Sequence, residues 1–162
     1  MIVREATPED WPAIWSFMRG IVAAGDTFSY DVAMDEAEGR ETWFLASPSR
    51  VFVAVDEDGT VVGSSNVHPN HGGPGAHVAS GNFMVDPAHQ GKGFGRALCE
   101  HAVQWARDQG YRAMQFNAVP ESNVRAVALY RSVGFEVLAT IPEAFRHPTE
   151  GYVGLHLMYL RL

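Results

Sequence analysis

The residues best suited to chemistry lie in one run, Val85-Asp86-Pro87-Ala88-His89-Gln90-Gly91-Lys92-Gly93-Phe94-Gly95-Arg96. An apolar strand pattern ends at Val85, a helical pattern begins near Gly95, and three alternating glycines lie between them. Glycine lets backbone N–H groups approach a ligand closely and adopt positive φ. A helix start adds unpaired N–H groups and the positive end of the helix dipole. Together these features make a socket for a phosphate or pyrophosphate, with Lys92 and Arg96 adding charge at its rim. A P-loop needs GxxxxGK followed by Ser or Thr, whereas Lys92 is followed by Gly93. A dinucleotide loop needs GxGxxG after an early strand. Here the spacing is GxGxG, late in the chain, with no matching acidic residue on a following strand. On spacing alone, a tight glycine-rich turn without a ligand stays open.

The elements around this run follow from periodicity and punctuation. Ile2 to Ala6 reads as a strand. Thr7 then caps a helix, its hydroxyl accepting free N–H groups, with Pro8 at N1 and Glu9 and Asp10 in the first turn. Trp11, Ile14, Trp15, Met18 and Val22 recur at helical spacing up to a stop at Gly25. Asp35 to Ala46 reads as a second helix. Val51 to Val55 is a buried strand, Asp58-Gly59 a hairpin turn, and Val61 to Val67 the returning strand. Strands are expected at His77 to Val85, Ala113 to Val119, Phe135 to Ile141 and Tyr152 to Leu160. Helices are expected at Arg96 to Gln109, stopped by Gly110, and at Asn123 to Val133, stopped by Gly134. Helices alternating with strands after a hairpin imply a mixed sheet with helices on both faces.

A chain of 162 residues suits one domain, residues 1–162, with enough core to fold without staples. Twelve basic residues against nineteen acidic ones, a formal net charge of -7, argue against a nucleic-acid partner. No apolar run approaches the ~18 residues of a membrane span, so no membrane partner is expected. Met1 to Asp10 shows no basic and apolar leader, which points to the cytoplasm. The single cysteine, Cys99, excludes an internal disulfide and a Cys-rich zinc module. His68 and His71 lack an evident third ligand, so no metal is expected.

The pattern Gln90-x-x-Gly93-x-Gly95 resembles the acetyl-CoA-binding loop of the GNAT superfamily of acyltransferases. A second segment, Asn123-Val124-Arg125-Ala126-Val127-Ala128-Leu129-Tyr130-Arg131-Ser132-Val133-Gly134-Phe135-Glu136, matches that family's N-x6-Y…GF helix, and the order of elements matches over nearly the whole chain. Thr27-Phe28-Ser29-Tyr30 and Ile141-Pro142-Glu143-Ala144-Phe145-Arg146-His147-Pro148 look most like the small amino-acid and phosphinothricin N-acetyltransferase branch. The resemblance implies a mixed, mostly antiparallel α/β sheet whose central strands splay into a slot for acetyl-CoA. The implied reaction transfers an acetyl group from the thioester to a primary amine of a small molecule, by direct attack in a ternary complex. A homodimer is a possible assembly. An acyl-CoA-sensing module without turnover and a peptide or protein N-acetyltransferase are the alternatives.

The resemblance also distributes roles. Main-chain groups of Phe83, Met84 and Val85 would carry the acetyl and pantetheine arm, and the amides from Gly91 through Lys92, Gly93, Phe94 and Gly95 to Arg96 the diphosphate. Asn123, two helical turns before Tyr130 and on a face with Ala126, would meet the pantetheine. Tyr130 would protonate the departing thiolate. Relatives often carry a Glu a few residues before the loop, but Ala79-Ser80-Gly81-Asn82-Phe83-Met84 has no carboxylate. Ser80 and Asn82 alternate onto one face and could hold a water relay. His68, His77, Glu121, Glu143 and His147 are other candidate bases. Phe28, Tyr30 and His147 would wall the acceptor. The acidic stretch Asp26, Asp31, Asp35, Glu36, Glu38 and Glu41 is either a solvated face or an attractor for a cationic amine. Cys99, inside the helix after the loop, is a poor acyl carrier.

Overall fold

Asp56 turns the first hairpin: its Oδ1 accepts the N–H groups of Asp58 and Thr60 at 3.0 and 2.9 Å. The apolar strands on either side are thereby brought side by side as an antiparallel pair. The computed structural model describes residues 1–162. Strand β1 (Ile2–Glu5) leads through a 3-10 turn (Pro8–Asp10) into helices α1 (Trp11–Ala24) and α2 (Glu36–Trp43). Strands β2 (Arg50–Val55), β3 (Val61–Pro69) and β4 (Val78–Val85) follow, then α3 (Phe94–Asp108), β5 (Ala113–Pro120), α4 (Val124–Val133), β6 (Glu136–His147) and β7 (Gly151–Arg161). The strands form one sheet in the order β1-β2-β3-β4-β5-β7-β6. Only β4 and β5 run parallel; every other neighbouring pair is antiparallel.

The two faces of the sheet are covered by different helices, as alternating side chains require. On one face Leu98, Ala102 and Ala106 of α3 pack with Phe52, Val62, Met114 and Phe116, and α4 adds Val127 and Tyr130. On the other, Ile14 and Met18 of α1 and Trp43 of α2 pack with Val51, Val53 and Met84. Burying a side chain of this size contributes about 1.5–3 kcal/mol.

Three local readings change. The second helix is shorter than Asp35 to Ala46: Asp35 lies outside it as the N-cap, and it ends at Trp43 with Phe44 as the C-cap. The Asp35 carboxylate accepts the Glu38 N–H at 2.9 Å, and the Glu38 carboxylate accepts the Asp35 N–H at 2.9 Å, a reciprocal capping box. The strand expected at Phe135 to Ile141 is longer: β6 runs on through Pro142 to His147, interrupted by a register shift between Ile141 and Phe145. The cap at Thr7 runs in reverse: the Asp10 carboxylate accepts the Thr7 N–H at 2.8 Å and the Thr7 hydroxyl at 3.4 Å.

Asp10 also accepts two Arg4 guanidinium bonds at 2.8 Å each. The Arg4 hydrogen bonds outweigh the cost of burial and hold the Asp10 carboxyl below the usual carboxylate range. Asp10→Asn is expected to cost about 1 kcal/mol, a modest figure because Arg4 is half exposed and screened. A lowered native pKa gives stability that is present above the unfolded value of about 4 and lost as pH falls through the lower native one. Urea melts of the two proteins should therefore differ at about pH 7 and draw together as pH falls below about 4.

Candidate active site

β4 and β5 pair only at Val78↔Ala113 and Ala79↔Met114. Beyond that point β4 stays with β3 as far as Val85↔Gly63, and β5 stays with β7 as far as Pro120↔Leu155. Each strand is held on its outer side, so the sheet splits into a wedge. The β5–β7 register shifts between Phe116 and Val119. This bulge, a device that bends and re-aims a strand, leaves Asn117 and Ala118 exposed on the wedge wall. The wedge is the centre of a cleft of about 1180 Å³.

The glycine loop forms one mouth of this cleft. Gly91 and Gly93 have φ of 78° and 89°, and Gly93 is the N-cap of α3. A side chain is strained in that left-handed region. The backbone N–H groups of residues 91–96 donate to no backbone acceptor. Such amides converging at a helix start, with the dipole behind them, form an anion site. Asp86 shapes the approach, accepting the Ala88 N–H at 3.0 Å and contacting His89 Nδ1 at 3.0 Å. Arg125 donates to Gln90 Oε1 at 3.3 Å and Arg96 to Ser132 Oγ at 2.7 Å, so both cations bridge the loop side to α4. Lys92 lies outside the cleft lining, exposed at the loop apex.

α4 forms the next wall. Asn123 is its N-cap, with Oδ1 accepting the Ala126 N–H at 3.3 Å; both N–H groups of its amide are left to meet a ligand. Tyr130 packs against Phe116, Phe83 and Phe135 at ring-centroid distances of 4.7, 5.9 and 6.0 Å. These rings fix its direction into the cleft. Burial raises the Tyr130 phenol well above its ordinary pKa, with a smaller push from Cys99, so it is a neutral donor. Phe83, Met84, Val85, Gln90, Gly91, Gly93, Phe94, Gly95, Arg96, Asn123, Ala126 and Tyr130 all line the one cleft.

The far mouth lies under α1 and the connection to α2. Phe28 and Tyr30 stack there at 5.3 Å and 11° between planes, and burial pushes the Tyr30 phenol to about 12. Ser80 and Asn82 line the same region. They alternate onto the face that buries Met84, opposite Phe83. Asn82 donates to Asn66 Oδ1 at 2.9 Å, and Asn66 donates to the Trp43 carbonyl at 3.3 Å.

The acidic stretch divides. Asp35 and Glu38 cap α2, Asp31 accepts the Ala33 N–H at 2.9 Å, and Glu36 accepts the Trp11 indole N–H at 3.1 Å. Asp26 alone of the six lines the cleft. His147 does not reach it, because its Nδ1 accepts the Glu150 N–H at 3.2 Å in the β6–β7 turn. His77 lies in a separate small pocket with Trp105 and Tyr111. Glu121 accepts the Gly154 N–H at 2.6 Å, and Glu143 sits exposed on the β6 bulge. Of the candidate bases, only His68 lines the cleft. Sequence periodicity had no signal for Asn117, Ala118 or Arg125, which the bulge and the Gln90 contact bring in. No group of three or more His, Cys, Asp or Glu side chains is placed to hold a metal. No helix is long and apolar enough to cross a membrane.

A mixed sheet split between two parallel strands, with unpaired amides at one mouth and a half-buried phenol inside, is the architecture of an acyltransferase fold. Within that class the chain belongs to the acetyltransferase (GNAT) family, whose family model matches residues 12–135. A GCN5-related N-acetyltransferase from Kribbella flavida superposes with a TM-score of 0.96 at 55% identity, over 99% of this chain and 97% of that one. The yncA protein from Salmonella typhimurium, solved with its cofactor acetyl-CoA, superposes with a TM-score of 0.84 at 27% identity, over 100% and 94% of the two chains. L-amino acid N-acyltransferase MnaT of Escherichia coli is 30% identical over 146 residues, 88% of this chain and 84% of its own length.

Proposed function

We propose that this enzyme moves the acetyl group of acetyl-CoA to the primary amine of a small molecule, an amino acid or a close analogue, by direct attack in a ternary complex. The observation that carries this reading is the row of amides at residues 91–96, unpaired at the mouth of the β4–β5 wedge. They would take the diphosphate. The pantetheine arm would then run along the free edge of β4, from Val85 towards Ser80, where main-chain groups released from β5 can bond its amides and polarise the thioester carbonyl. The two substrates would meet inside the sheet, the cofactor from the α3–α4 face and the amine from the α1–α2 face, where the stacked Phe28 and Tyr30 give an apolar wall. Attack forms the C–N bond on one side of the carbonyl while the sulfur leaves towards Tyr130 on the other.

A covalent cysteine intermediate does not suit this chain. Cys99 is fully buried in α3, and burial pushes its thiol to about 12; the thiolate is the nucleophilic form. Cys99→Ala is expected to keep wild-type turnover, and double-reciprocal plots should intersect rather than run parallel. The reading extends to a cytoplasmic enzyme, where a free thiol stays reduced. A homodimer would use the uncovered edge at β6, whose Leu138 and Ile141 are more than half exposed.

The deciding experiment is an amine panel with acetyl-CoA and thiol detection, run on amino acids, polyamines, aminoglycosides and peptides. Thiol release with amino acids is the expected result. Preference for peptides would move the acceptor class. Tight acetyl-CoA binding without release by any amine would leave a sensing module and overturn the reading.

A further inference from the structure

We propose that His68 is the general base that frees the acceptor amine, in the place of the carboxylate that β4 lacks. The inference rests on the acetyltransferase reading above. His68 on β3 stands directly opposite Ser80 on β4. Antiparallel partners share a face, and both residues line the cleft. The β4–β5 pairing ends at Ala79, so His68 flanks the closed end of the wedge, where an arm running down β4 would finish.

Its orientation suits the task. The His68 Nδ1 lies 2.9 Å from the Pro69 carbonyl oxygen. A carbonyl only accepts, so this bond puts the proton on Nδ1 and leaves the lone pair on Nε2. Asn82 sits two residues along β4 on the same face. One of its two amide N–H groups donates to Asn66, which orients the amide, and Oδ1 can accept a hydrogen bond from an incoming ammonium and steer a second N–H towards Nε2.

The other ionisable side chains lining the cleft are Asp26, Tyr30, His89, Arg96, Arg125 and Tyr130. His89 belongs to the loop end, in contact with Asp86, and burial raises both phenols. A neutral imidazole offers a nitrogen lone pair to a proton, and His68 is the one imidazole on the acceptor side. An ammonium acceptor loses two protons as it becomes an amide. One passes to His68 Nε2 and on to solvent; the second leaves the nitrogen as the C–N bond forms and the C–S bond breaks, and is balanced by the proton that ends on the coenzyme A sulfur.

The test uses the fastest amine of the panel. His68→Gln and His68→Asn are expected to lower kcat/KM about a hundredfold at neutral pH, with the calorimetric Kd for acetyl-CoA unchanged. The deficit should shrink as pH rises, because more of the amine is then neutral without help. A weakly basic amine, already neutral at neutral pH, should react with wild type and variants at nearly equal rates. Asp26→Asn is expected to raise KM and keep the acidic limb of the pH profile. Variants with the wild-type rate and profile, an equal deficit with the weakly basic amine, or loss of the acidic limb in Asp26→Asn would each overturn the assignment while leaving the acetyltransferase reading intact. A wild-type protein that acetylates no amine overturns that reading first, and the base with it.

Discussion

Tyr130→Phe is expected to lower kcat about a hundredfold or more while acetyl-CoA binds as tightly as to wild type. The ring would stay where it is, because Phe83, Phe116 and Phe135 hold it. What is lost is the hydroxyl alone. A phenol titrates near 10 and a thiol near 8.5, and burial raises the Tyr130 phenol further. Complete proton transfer to the sulfur is therefore uphill. In the proposed reaction the hydroxyl would act chiefly as a hydrogen-bond donor to charge that grows on sulfur as the C–S bond breaks. A thioester sulfur accepts hydrogen bonds poorly, so the interaction exists in the transition state and not in the ground state. Removing one such donor from a preorganised site costs about 10²–10³ in rate. The raised pKa has a second consequence: wild type should lose no rate to Tyr130 ionisation below about pH 10. Steady-state kinetics with calorimetric cofactor titration measures both, and an unchanged kcat would remove Tyr130 from the chemistry.

Gly93→Ala is expected to weaken acetyl-CoA binding about tenfold or more, with kcat at saturating cofactor nearly unchanged. An added Cβ would meet only Met1 Cε at 3.8 Å, so nothing blocks it. The cost comes from φ of 89°. A side chain pays about 1–2 kcal/mol there, and the loop can shed that strain by rotating the amides of Gly93 and Phe94 out of line with an anion. About 1.4 kcal/mol corresponds to a factor of ten in Kd. Gly59→Ala supplies the control. Its φ is 83° with open space around the added carbon, but it lies in the β2–β3 turn outside the cleft. It should lose similar stability and keep wild-type cofactor affinity. Equal Kd values for the two variants would refute the amide socket.

Much of this arrangement is legible from neighbouring residues. The glycine run between Val85 and Arg96 announces a strand, an anion loop and a helix start, because positive φ and missing i−4 partners are properties of contiguous backbone. The 3.6-residue repeat puts Asn123, Ala126 and Tyr130 on one face. The alternation of β4 puts Ser80, Asn82 and Met84 on the side away from Phe83. The acidic stretch is read in two ways for the same local reason: Asp35 and Glu38 are also a helix-capping pair, and the chain uses them so. His147 misleads because its ring turns back on its own β-turn, which spacing does not show. Asn123 is both cap and ligand candidate, and only the Ala126 contact reveals how its amide is divided.

By itself, then, the amino-acid order determined the elements, the glycine loop between strand and helix, the helix that carries the phenol and the family those motifs resemble. Periodicity, turn chemistry and capping act over a few residues, so they can be read without folding the chain. The tertiary structure decided where β4 and β5 part, how the β5 bulge turns Asn117 and Ala118 into the cleft, and which of the seven imidazoles line it. Those outcomes depend on register between strands far apart in the chain. In a ladder of period two, a shift of one residue sends every side chain to the opposite face.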